Sequence, residues 1–174
     1  WNYHLLAQPG YVVLLTNYSG STGFGEAFAR GLQGDPLEGP ANEINQAADE
    51  AIKRFSFIDG SRQAAGGASY GGHLSNWLAV TTDRYTALVS HAGLYDLRSQ
   101  WTTSDVVFSR EKNIGGPAWK SLPLWREQSP FYRSEKLGPP ILLTYGENDY
   151  RVPLNNALEF WTVLQRQDVP SRLV

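Results

Sequence analysis

The sequence predicts an α/β fold built on a mostly parallel sheet flanked by helices. Two observations carry that prediction. Short β-branched and apolar runs, "YVVLLTN" (11–17), "TALVSHAG" (86–93) and "PILLTYG" (140–146), recur along the chain. Between them lie segments whose apolar residues step by three and four, the period of an amphipathic helix. Alternation of the two kinds is the pattern of strands joined by crossover helices.

In chain order, 11–17 reads as a strand buried on both faces. The glycine-rich stretch "YSGSTGFG" (18–25) follows as a loop. Ile44, Ala47, Ala48, Ala51, Ile52 and Phe55 mark a helix over 42–55 with Asn42 as its N-cap. "RQAAG" (62–66) is a short strand and "GHLSNWLAVTT" (72–82) a helix; 86–93 and 140–146 are further buried strands. After Pro153, the residues Leu154, Ala157, Leu158, Trp161 and Leu164 mark the last helix, with proline suited to its first turn. The segment 98–136 breaks the rhythm, carries Trp101, Trp119 and Trp125, and reads as an insertion of short helices over one edge of the sheet.

Composition narrows the function classes. The 174 residues suffice for one core, and 41% hydrophobic with 18% charged residues describe a globular chain. A net charge of −2 with no basic run gives no footprint for nucleic acid, and runs as short as "YVVLL" give none for a membrane span. With no cysteine, the chain has neither disulfides nor a thiolate nucleophile. It has no methionine, and it ends on "PSRLV", which reads as the opening of a strand, so it is expected to be part of a longer protein.

Chemistry is concentrated in "GASYG" (67–71), which fits the G-x-S-x-G nucleophile elbow. Ser69 falls where a strand becomes a helix, at the carboxyl end of a parallel strand, where ligands collect in such sheets. Glycines at 67 and 71 are expected because larger side chains there would strike the neighbouring strand and helix. The turn exposes the hydroxyl and aims the N–H of Tyr70 at a developing oxyanion. A serine nucleophile needs a base, and the base an orienting acid. Asp149, in the loop after the 140–146 strand, is the candidate acid, with Glu147 as fallback; capping of the following helix is the competing role for Asp149. The three histidines, His4, His73 and His91, all precede it, whereas the expected order is serine, acid, histidine. The base is therefore expected beyond Val174, and the 174 residues alone are expected to have little or no activity.

Four stretches, "NYSGSTGFGEAF", "FSFIDGSRQAAGGAS", "GGASYGGHLSNW" and "GENDYRVP", resemble in order the catalytic domain of the prolyl oligopeptidase family of serine peptidases, in its dipeptidyl-peptidase V and acylaminoacyl-peptidase branch. The resemblance implies that 1–174 is part of an α/β-hydrolase domain, any β-propeller lying outside it. It implies Ser69 as nucleophile, Tyr70 as oxyanion donor through its backbone, and Asp149 as acid. It implies an apolar substrate pocket carried onto Tyr70, Leu94, Trp101 and Val152, with Arg151 available to a substrate carbonyl. The implied partner is a short peptide, with no metal or organic cofactor. Core packing competes for Leu94 and Trp101.

Two other readings stand beside this one. Without a base, the chain is a catalytically silent binding module. Alternatively, 11–25 as strand and glycine turn, with Tyr132 and Lys136 in Y-x-x-x-K spacing, suggests an NAD(P)-dependent short-chain dehydrogenase. Ser19 stands there in place of the first glycine that such a turn needs.

Overall fold

The computed structural model describes residues 2–174. Its elements are α1 (Tyr3–Ala7), α2 (Glu26–Ala29), α3 (Glu38–Arg54), β1 (Ala64–Ala68), α4 (Tyr70–Thr81), β2 (Ala87–His91), α5 (Leu97–Thr103), α6 (Val107–Ile114), α7 (Ala118–Glu127), a 3₁₀ turn (Pro130–Arg133), β3 (Ile141–Thr144), α8 (Asn155–Arg166) and β4 (Ser171–Leu173). The four strands form one sheet in the order β1-β2-β3-β4, every pair parallel. All strand carboxyl ends therefore meet at one edge, where Ala68, His91 and Thr144 stand in register.

Sequence explains the packing locally. In α4, burial of Leu74, Trp77 and Leu78 seats the helix on β1 and β2, while α8 turns Ala157, Phe160 and Leu164 toward β3 and β4. Leu88, Ile141 and Leu143 meet them from the sheet, and Leu37 and Ala41 join from the start of α3. Tyr95 stacks on Phe160 with ring centroids 4.2 Å apart and closes this cluster. A second cluster, Leu94, Leu97, Trp101, Ile114, Ala118, Trp125 and Val152, joins the 98–136 insertion to the segments that follow β2 and β3. The insertion is a set of short helices, as expected from its sequence.

Three expectations need correction. Residues 11–17 form no strand, and Tyr11, Val12, Leu14 and Leu15 are exposed. β-branched residues favour a pleated, half-buried setting, but a strand needs a hydrogen-bonded neighbour, and among the described residues this segment has none. The strands of the sheet are not buried on both faces either. Leu88, Ser90, Ile141 and Leu143 point into the core, whereas Ala64, Ala87, His91 and Leu142 are exposed on the other face.

Finally, α3 starts a turn before Asn42. Asp35 accepts the N–H groups of Glu38 and Gly39, each at 2.9 Å, and satisfies the first turn in Asn42's place. Glu43 on α3 accepts both the N–H and the hydroxyl of Ser19, at 2.6 and 2.5 Å, tying the glycine-rich loop to the helix.

Candidate active site

The turn from β1 to α4 is held by contacts that leave little freedom. Ser69 has φ 55° and ψ −112°, a conformation that non-glycine residues rarely adopt and that costs about 1–3 kcal/mol. Its N–H donates to the His91 carbonyl at 2.9 Å, pinning the turn to the end of β2, and its carbonyl accepts the N–H of His73 at 2.9 Å to start α4. A Cβ on Gly67 would lie 2.5 Å from the backbone of Gly71. A Cβ on Gly72 would lie 2.6 Å from the Cα of Gly93. Gly71 itself has open space where a Cβ would stand, so the expectation of a clash there is corrected: its backbone crowds Gly67, and the tight second position is Gly72.

Ser69 is exposed, and among the described residues its hydroxyl makes no hydrogen bond. The Tyr70 N–H belongs to the first turn of α4, where no intrahelical acceptor exists, so it is available to an anion beside Ser69. The Tyr70 side chain is committed elsewhere. Its hydroxyl donates to the Pro36 carbonyl at 2.6 Å, its ring packs 6.0 Å from that of Tyr18, and burial pushes the phenol well above its ordinary range.

Across the carboxyl edge, Asp149 sits half-buried in the loop after β3. Its Oδ1 accepts the N–H groups of Arg151 and Val152 at 2.8 and 2.9 Å, which fixes the carboxylate and leaves Oδ2 without a protein partner among the described residues. Asp149 does not cap α8, whose N-cap is Leu154. Glu147 is exposed in the same loop. Arg151 donates to both carboxylate oxygens of Asp105, at 2.7 and 3.2 Å, and the pair holds each other's charge: the guanidinium lowers the Asp105 pKa and the carboxylate raises that of Arg151.

A cleft of about 200 Å³ opens beside Ser69 and Tyr70. Leu94, Arg151 and Val152 line it. Trp101 does not: it is 8% exposed, packed between Trp119 and Trp125 with ring centroids 5.2 Å away in each case, and donates its indole N–H to Glu111. The remaining wall was not visible to sequence reasoning, because it comes from α5 and α6 in the segment without a recognisable period. Gln100, fully buried, donates from Nε2 to the Arg151 carbonyl at 2.7 Å and to Ser104 at 3.0 Å, which turns its Oε1 toward Arg110. Arg110 donates from Nε to that oxygen at 3.1 Å, and burial lowers its pKa. Nothing in the spacing of Gln100 and Arg110 marks them in the sequence as one polar wall.

Of the histidines, none hydrogen-bonds the Ser69 hydroxyl. His4 is exposed on α1. His91 ends β2, with Nδ1 2.8 Å from the Thr144 hydroxyl. His73 borders the cleft but is 1% exposed; burial, with Arg110 nearby, pulls its pKa down to about 3, and its Nε2 has no hydrogen-bond partner among the described residues. Tyr132 and Lys136 line a separate cleft of about 560 Å³ against Trp77, Val80 and Thr81, near the far end of α4 from Ser69.

The family model of the prolyl oligopeptidase family matches residues 1–174. The dipeptidyl-peptidase 5 of Porphyromonas gingivalis is 33% identical over 179 aligned positions, which cover all of this chain and 26% of that protein. The dipeptidyl-peptidase 5 of Aspergillus oryzae is 32% identical, covering all of this chain and 24% of its own length. Among solved structures, the uncomplexed acylaminoacyl peptidase of Pyrococcus horikoshii superposes with a TM-score of 0.86 at 26% identity, over 91% of this chain and 26% of that one. A puromycin-hydrolyzing peptidase of Mycobacterium tuberculosis gives 0.84 at 27% identity, over 91% of this chain and 24% of its own. The chain spans about a quarter of the length of these relatives. The sheet is the α/β-hydrolase sheet of these peptidases.

Proposed function

This chain belongs to the prolyl oligopeptidase family, and from that premise we propose that it is the part of a serine peptidase catalytic domain that carries the nucleophile and the acid. The observation that bears the reading is the backbone of Ser69, held at positive φ on a strand-to-helix turn with the Tyr70 N–H beside it and Asp149 on the same sheet edge.

The chemistry is acyl transfer. Ser69 Oγ attacks the carbonyl carbon of the scissile peptide bond and gives its proton to a histidine. The carbonyl oxygen becomes an oxyanion and takes the Tyr70 N–H. Collapse expels the amine, which recovers the proton, and leaves an ester on Ser69; water then repeats the sequence to release the acid. Asp149 orients the histidine and balances its positive charge through Oδ2, the oxygen that its own loop leaves unused. We assign the base to a histidine following β4, because β4 runs parallel to β3 and delivers the chain to the edge that carries Ser69 and Asp149. A propeller domain, if the parent has one, lies outside the 174 residues. Leu94, Val152 and Arg151 contact the substrate, a short peptide that loses a dipeptide or an acylated residue from its N-terminus. Trp101 supports that wall from behind.

Intact-protein mass spectrometry of the full-length protein after treatment with a fluorophosphonate tests the reading. One adduct, lost in Ser69→Ala, is expected. No adduct on the full-length protein favours the catalytically silent module, a reading motivated by the absence of any histidine on the Ser69 hydroxyl among the described residues.

A further inference from the structure

The cleft beside Ser69, where the resemblance implied an apolar pocket, is lined by Ser109, Arg110 and Asn113 as well as by Leu94 and Val152. Among the described residues, that lining includes a cation without a counter-charge. Arg110 is half-buried on α6, and among the described residues no carboxylate pairs with it; its one side-chain hydrogen bond runs from Nε to the neutral amide of Gln100. The other arginine of the cleft, Arg151, is neutralised by Asp105. Gln100 is locked by the Arg151 carbonyl and Ser104, so Arg110 is held by its Nε while its terminal nitrogens have no protein acceptor among the described residues. Ser109, the residue before Arg110, and Asn113, about one turn further along α6, add polar groups to the same wall.

The chemistry at Ser69 says which part of a substrate enters this space. The side chain of the residue whose carbonyl is attacked branches from the atom bonded to that carbonyl, so it falls into the cleft that opens beside the nucleophile. An apolar side chain would remove water from Arg110 and return nothing. A carboxylate would replace that water with charge-assisted hydrogen bonds in the fork geometry that guanidinium favours. A volume of about 200 Å³ accommodates a glutamate side chain.

We propose that this cleft selects an acidic residue, glutamate or aspartate, immediately before the scissile bond, with Arg110 as the pairing group and Gln100 as the residue that positions it. The proposal rests on the acyl-transfer reading of Ser69.

The test uses the full-length protein and aminomethylcoumarin amides of Gly-Glu, Gly-Gln and Gly-Leu, with fluorophosphonate labelling run in parallel. Gly-Glu is expected to exceed both others in kcat/KM by about tenfold or more, the scale of a hydrogen bond to a charged group. Arg110→Gln should erase that preference, and Arg110→Glu should move it to a fourth amide, that of Gly-Lys, a gain that misfolding cannot imitate. Turnover of Gly-Leu equal to or faster than Gly-Glu overturns the acidic selection while leaving acyl transfer standing, and this comparison needs no variant. Retention of the Gly-Glu preference in Arg110→Gln overturns the role of Arg110. No labelling and no turnover of any substrate removes the acyl-transfer reading and this proposal with it.

Discussion

The two loops that meet at the carboxyl edge of the sheet solve the same problem in opposite ways. After β1, Ser69 is held in a conformation that a side chain disfavours, by the close approach of Gly67 to Gly71 within the turn and, from outside it, by the His91 carbonyl and the approach of Gly72 to Gly93. After β3, Asp149 is held from inside its own loop, by the N–H groups of Arg151 and Val152. The nucleophile is positioned by steric confinement and the acid by hydrogen bonding. Substitution in the first loop should therefore damage structure and activity together, whereas in the second the two can be separated.

The strongest way to break this contrast is Asp149→Asn. The amide oxygen still accepts the loop N–H groups, so the melting temperature should hold while kcat falls by about 10⁴-fold, the cost of losing the orienting carboxylate. Asp149→Ala, which also removes the acceptor, should lower both. Equal melting temperatures for the two variants would show that the loop does not depend on Asp149. Next, Gly67→Val drives a side chain into the Gly71 backbone and should cost about 3 kcal/mol of stability by denaturant unfolding, with loss of fluorophosphonate labelling. A stable, fully labelled variant would mean that the turn relaxes freely.

A smaller effect concerns the helix that follows the turn. His73 is buried neutral with its pKa lowered to about 3 from 6.5, so the unfolded chain binds the proton more readily. Its contribution to stability is complete above pH 6.5 and is lost as pH falls from there toward 3. Melting temperature measured across that window should drop less in His73→Gln than in the wild type. Smallest is Gly71→Ala. The added methyl meets open space on the first turn of a helix, so a change within about 1 kcal/mol, toward greater stability, is expected. A large loss there would restore the notion that both outer glycines of the motif are sterically required.

What the sequence made legible was chemistry written in consecutive residues. Ser69 and its turn are spelled out over 67–72, and Asp149 follows directly from a strand, so each could be placed without knowing the rest of the fold. Even there, the motif letters misassigned one role, because Gly71 contributes its backbone and Gly72 bears the contact with Gly93. The start of α3 was legible in principle: Asp35 stands three residues before Glu38, in the spacing of a capping box, yet Asn42 drew attention by lying next to the apolar period. Arg110, Gln100, Asp105 and Arg151 were not legible as a group. They come from four segments that only the folded chain brings together, and their pairing decides which arginine stays uncompensated. Residues 11–17 mark a different limit, since apolar content describes a strand's appetite for a partner and not the partner.

The exposed sheet face has a practical consequence for anyone handling the 174-residue chain by itself. Leu142 stands 36% exposed there, β1 and β4 each have a single neighbouring strand among the described residues, and Leu14 and Leu15 add apolar surface elsewhere at 46% and 59% exposure. Unpaired strand edges beside uncovered apolar surface are templates for addition of a second chain. In concentrated solution the isolated chain is expected to bind the dye ANS and to grow light-scattering particles with time. Solubility, more than catalysis, will govern whether it can be crystallised.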